Sequence, residues 1–252
     1  MKRILFLFSS CLLVGELSAQ ALDSLKLSPV PSAQEITNAF VSAGRGRLNP
    51  FIVLPAIIAK GDQSVPALST VLSSDSIAQI IQYQIQQIGS VIDSTSARKV
   101  TVDTLKPNKL YAVMALEGIG SGAAYAVLLV AAQSNPNLNV RGFALNALAC
   151  TYHNGTILAR FTPGKEVVHL FLNNVDDTTK VAYLHRSFGQ IAREGLINWT
   201  GWDMGEPQGK NSLVVVPLQP QPMLLSAYRE LWWQSNASSL KWSGQTGRFS
   251  TQ

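Results

Sequence analysis

The feature that most constrains this chain is a recurrence of about 31 residues. Residues 82–89 (QYQIQQIG) align with residues 113–120 (VMALEGIG) at an offset of 31. Ala112, Ala115 and Leu116 return as Ala144, Ala147 and Leu148 at an offset of 32. Leu148 returns as Phe188 after 40 residues, with the surplus falling in the irregular stretch 156–164. Ile58 precedes Ile88 by 30. A unit of this length holds two short helices and the turns between them. Such a unit cannot cover its own apolar face, so its neighbours must stack on it.

Local signals fit that reading. Ser32-Ala33-Gln34-Glu35 is a capping box that opens a helix to about Ser42, with Ile36, Phe40 and Val41 inward and Gly44 and Gly46 closing it. Further helices are expected over 49–59, 65–72, 76–88, 109–119, 123–132, 140–152, 166–172 and 180–193. Pro50 and Pro66 suit first turns, whereas Pro55 kinks its helix or delays its start. Residues 90–108 are less regular and carry a short strand or only loop.

One joint carries a family resemblance. Leu128-Leu129, Asn135-Pro136-Asn137, Val140-Arg141, Ala144 and Ala147-Leu148 follow one another in order. This pattern resembles the bacterial HEAT-like repeats of the short type also found in phycobilisome lyases. Leu68, Leu72, Asp75 and Ile77 match it in part, as do Leu170, Leu172, Asp176, Val181 and Ala182. The resemblance covers roughly residues 48–195. It implies an all-α helical-hairpin solenoid, not lyase activity. It also implies that the second helices, here 65–72, 123–132 and 166–172, line the concave face where partners sit.

The two ends differ from the repeats. Residues 1–21 read as a secretory signal, with Lys2 and Arg3 ahead of an apolar run and Ala19-Gln20-Ala21 at the cleavage positions. Its removal takes two positive charges and one negative, so the net charge falls from +5 to +4. The remaining Lys and Arg are scattered, without the clustered stripe that nucleic acid requires. Cys11 leaves with the signal, and Cys150 is then alone and reads as a small core residue. All five Trp lie in residues 196–252. There an amphipathic helix is expected over 223–234, with Leu224, Leu225, Tyr228, Leu231 and Trp232 along one side. Residues 212–216 read as extended, and 235–252 read as a polar, frayed tail whose loss does little.

The sequence therefore divides into a signal (1–21), a lead-in with one helix (22–47), HEAT-like repeats (48–195) and a Trp-rich C-terminal cap with a polar tail (196–252). Trp199, Trp202 and Asp203 are the candidate binding residues, because Trp faces stack on ligands and a carboxylate accepts hydroxyl donors. The competing role for these Trp is burial of the last apolar face of the array. His153, His169 and His185 are spaced evenly by 16 but lack the i, i+4 or Cys partners of a metal set. Gly118, Gly120 and Gly122 flank Ser121, yet their spacing fits neither a phosphate loop nor a nucleophile elbow. The expectation is an exported, non-catalytic binding or scaffold protein without cofactor or metal, acting on a protein partner in the periplasm or outside the cell. Two rivals stay open: a membrane protein anchored through residues 110–132, and a hydrolase-type enzyme using the His153, His169 and His185 region.

Overall fold

The computed structural model describes residues 27–44, 50–73, 109–150, 161–182, 184–202, 213–214 and 223–251. The signal segment 1–21, the helix expected over 76–88, the stretch 90–108, His153 and Asp203 lie outside the described residues. The described chain is mostly helical. Its helices are α1 (Ala33–Gly44), α2 (Pro50–Ile58), α3 (Val65–Ser73), α4 (109–119), α5 (Gly122–Ser134), α6 (Leu138–Cys150), α7 (Glu166–Asn174), α8 (Phe188–Thr200) and α9 (Leu225–Asn236). Three two-stranded antiparallel ribbons accompany them: β1–β2 (Lys180–Val181, Arg186–Ser187), β3–β4 (Leu213–Val214, Met223–Leu224) and β5–β6 (Leu240–Ser243, Arg248–Thr251).

Caps set the helix starts. Ser32 Oγ accepts from the Glu35 N–H at 3.2 Å, and Glu35 Oε2 accepts from the Ser32 N–H at 2.8 Å. Ser28 donates its hydroxyl to Glu35 as well, at 2.6 Å. The Ser28 hydroxyl first, then the donors of Ser32, hold the Glu35 carboxyl down to about 2. α2 contains Pro55 and is followed by a 3₁₀ turn, Gly61–Ser64. The Ser64 hydroxyl donates back to the Ile57 carbonyl at 3.0 Å, which joins that turn to the end of α2.

The apolar stretch 110–132 is two helices. Gly120 takes a φ of +63°, a left-handed conformation that glycine adopts without steric cost. The Ser121 side chain then accepts from the Ala124 N–H at 3.1 Å and starts α5. Residues 110–132 are thus not one continuous helix. No helix among the described residues is long and apolar enough to cross a membrane.

The joint between α5 and α6 is held by its own polar residues. Asn135 Oδ1 accepts from the Asn137 N–H, and Asn137 Oδ1 accepts from the N–H groups of Asn139 and Val140. These contacts make an Asx turn followed by a helix cap. The Arg141 guanidinium donates to the Asn135 carbonyl at 3.1 Å and lies over the Phe188 ring. The Asn135 amide is buried and donates to the Leu72 carbonyl at 3.0 Å, a contact 63 residues back along the chain. One short turn thus fixes α5 to α6 and both to the end of α3.

Packing follows the recurrence. Ala112, Ala115 and Leu116 are buried, as are Ala144, Ala147, Leu148 and Phe188. α3 packs against α1 and α5, α6 against α5 and α8, and α7 against α8 and α9. Small residues set the closest approaches. A Cβ at Gly118 would lie 2.4 Å from Ile58 Cδ1, and one at Gly195 would lie 2.5 Å from the Phe171 ring.

Three expectations need correction. Residues 180–193 do not form one helix. β1 and β2 pair there, with Val181 opposite Arg186, and α8 begins only at Phe188. The tail is no frayed segment: β5 and β6 form a hairpin whose Leu240 and Phe249 are buried. Leu224, the residue before α9, and Leu231 on it do not face inward; they are 44% and 46% exposed, while Arg229 is buried.

Candidate functional site

Residues of α8, α9 and the β5–β6 hairpin supply four of the five Trp: Trp199, Trp232, Trp233 and Trp242. α8 is built to reach this end. Ser187 and Gln190 form a reciprocal capping box at its start, and Phe188, Ile191, Ala192, Leu196 and Trp199 occupy its buried face. It stops at Gly201, whose φ of +80° ends the helix and whose N–H donates to the Ile197 carbonyl at 2.9 Å. This helix runs straight through the 195/196 boundary drawn from composition.

Trp199 is completely buried. Its indole N–H donates to the Leu148 carbonyl at 2.8 Å, and the neighbouring Asn198 amide donates to the Ala149 carbonyl at 2.7 Å. α8 thus donates two side-chain hydrogen bonds to carbonyls of α6. Trp242 and Phe249 from the hairpin meet the Trp199 ring at centroid distances of 5.8 and 6.2 Å, and Tyr125 meets it at 6.2 Å. With its ring covered, Trp199 has no face to offer a ligand. That removes it from the set Trp199, Trp202 and Asp203. Trp202 is half-buried and meets the Trp232 ring edge-on at 4.3 Å.

α9 is docked by charge. Arg229 and Asp176 form an ion pair in which both side chains are nearly fully buried. Loss of water around the guanidinium lowers the Arg229 pKa to about 10, which leaves it charged at neutral pH. The next residue, Glu230, faces His169 Nε2 at 3.2 Å. The His169 ring stacks on Trp233 with centroids 4.6 Å apart and planes 6° from parallel. At the far end of α9, Lys165 Nζ donates to the Ala237 carbonyl at 2.7 Å.

The two described histidines, His169 and His185, lie in different elements. His169 is part of the α9 contact. His185 sits exposed in the turn between β1 and β2 with a φ of +53°. Asp176 is paired with Arg229 rather than with either histidine. Among the described residues no group of three or more His, Cys, Asp or Glu side chains is arranged to hold a metal ion.

Cys150 also departs from its expected place. It is only partly buried and belongs to a polar cluster with Asn146, Arg186 and Glu194. Burial first, then the Glu194 carboxylate, pushes its thiol up to about 11. A thiol held protonated at neutral pH is a poor nucleophile.

Arg229, Glu230 and Trp233 were not singled out by the sequence. The spacing of Phe188, Ile191, Leu196 and Trp199, with the Ser187–Gln190 cap, is a legible signal that α8 extends to Trp199. No comparable signal marks Asp176 and Arg229 as partners. The chain matches no protein-family model, no curated protein and no solved structure.

Proposed function

We propose that this chain is an exported, non-catalytic binding protein whose helices stack as a HEAT-like solenoid and hold a protein partner. The export reading comes from residues 1–21. The solenoid reading draws support from the equivalent burial of Ala112, Ala115 and Leu116 and of Ala144, Ala147 and Leu148. The observation that carries the binding reading is the exposed side of α5. Ala123, Ala126 and Val130 are exposed there at helical spacing, and Val130 is 60% exposed. α5 is a second helix of the repeat, so this stripe belongs to the side where partners of such arrays dock.

A photo-crosslinking side chain at position 130 tests the reading in the native host. A protein adduct from position 130, lost when Ala126→Glu is added and absent when the probe sits at the exposed Gln34 of α1, is the expected result. Equal labelling from both positions, or none from 130, contradicts it. Amino-terminal sequencing of the chain from the exported fraction tests cleavage after residue 21.

A further inference from the structure

His169, Glu230 and Trp233 form one contact between α7 and α9. The imidazole N–H donates to a carboxylate on one edge while the ring lies flat on an indole. Glu230 is further fixed by the Gln234 amide, which donates to its other oxygen at 3.1 Å. Both partners suit an imidazolium better than an imidazole. A carboxylate attracts the cation, and an indole face carries the negative part of the ring quadrupole.

Other charged groups lie on and beside the neighbouring helices. On α7, Lys165 is bound to the Ala237 carbonyl, and Glu166 is exposed one turn before His169 and acts on the Tyr125 hydroxyl. On α9, Arg229 is paired with Asp176. On α8, Glu194 is paired with Arg186, and Arg193 lies beside it in sequence. Tyr228 is the remaining titratable group of α9. Glu230 is thus the carboxylate that faces the His169 ring.

We propose that His169 is a pH-sensitive latch that docks α9 more tightly onto α7 when its imidazole is protonated. The sign follows from linkage. Protonation adds a charge that the carboxylate and the indole face both attract, so the contact strengthens when the imidazole is protonated. The His169 hydrogen bond, ahead of the one from Gln234, lowers the Glu230 pKa. Its share is present above the usual carboxylate range and is lost as pH falls through its lowered value. The latch is therefore strongest where the imidazole is protonated and the Glu230 carboxylate is still ionised.

The test compares thermal melts of the full chain with those of His169→Gln and Glu230→Gln at about pH 5.5 and about pH 8, either side of the imidazole range. The wild type should gain about 2–4 °C over His169→Gln on moving to the lower pH, a shift of the size a single favourable contact gives in a chain of this length. Glu230→Gln should lose most of that gain. A second readout is Trp233 emission, taken as the wild-type signal minus that of Trp233→Phe. It should fall with protonation, because a stacked imidazolium quenches indole, and should stay flat in His169→Gln. Equal pH dependence of melting in the wild type and His169→Gln overturns the proposal. So does Trp233 emission that ignores pH, a readout that survives if one variant folds poorly.

Discussion

The α5–α6 joint and the docking of α9 solve the same problem with different chemistry. At the joint, Asn135, Asn137 and Arg141 satisfy backbone groups within six residues, and only the Asn135 amide reaches a distant carbonyl. At α9, side chains pair with side chains across 53 and 61 residues of sequence, Asp176 with Arg229 and His169 with Glu230. The joint also buries small apolar residues at repeating positions, whereas α9 leaves Leu231 exposed and buries an arginine. A joint between neighbouring helices can thus be held by local contacts, while α9 depends on single long-range contacts that occur once.

Four substitutions sharpen that contrast, from the largest expected effect downward. Trp199→Ala should lose about 3–5 kcal/mol, the usual cost of removing a buried aromatic side chain. It also leaves the Leu148 carbonyl without its indole donor. Asp176→Ala should cost a similar amount, about 3–5 kcal/mol, because it strands a buried guanidinium. Its diagnostic is the double variant Asp176→Leu with Arg229→Met. That variant should recover most of the loss, since apolar residues of similar volume replace buried ion pairs at little cost. Equilibrium denaturant unfolding reads both. Leu148→Ala should lose about 2–5 kcal/mol, and a smaller loss would mean that the repeat register is wrong. Asn135→Ala should cost about 1–3 kcal/mol by leaving the buried Leu72 carbonyl unsatisfied. Hydrogen exchange should locate that loss at the α3–α5 contact rather than at α9.

The same contrast explains what could be read from the sequence. The caps at Ser32 and Ser121, the break at Gly120 and the turn at Asn135-Pro136-Asn137 all depend on residues within a few positions of each other. Their geometry follows from local hydrogen bonding, and the expected helices near 33–42, 65–72, 109–119 and 123–132 fall where they should. The stretch 180–193 went astray because its apolar residues suit a helix until the pairing of Lys180 with Ser187 is known. The β5–β6 hairpin was missed because its signal is short. Leu240 and Trp242 alternate with polar residues over four positions, and only the cover that they and Phe249 give Trp199 makes the hairpin part of the fold. The α9 contacts were illegible for the same reason. A buried Arg and a stacked His look like surface residues until their partners are placed.

The claim that Trp199 is a core residue covered by the C-terminal hairpin has the most direct test in a chain ending at Ser238. This truncation keeps the Ala237 carbonyl that Lys165 binds and removes Leu240, Trp242 and Phe249. Trp199 fluorescence, isolated by subtracting the signal of the same truncation carrying Trp199→Phe, is then titrated with iodide. The account expects quenching of Trp199 in the truncated chain, none in the full chain, and a lower melting temperature for the truncation. A truncated chain that melts as the full one does, with Trp199 still shielded from iodide, would contradict it.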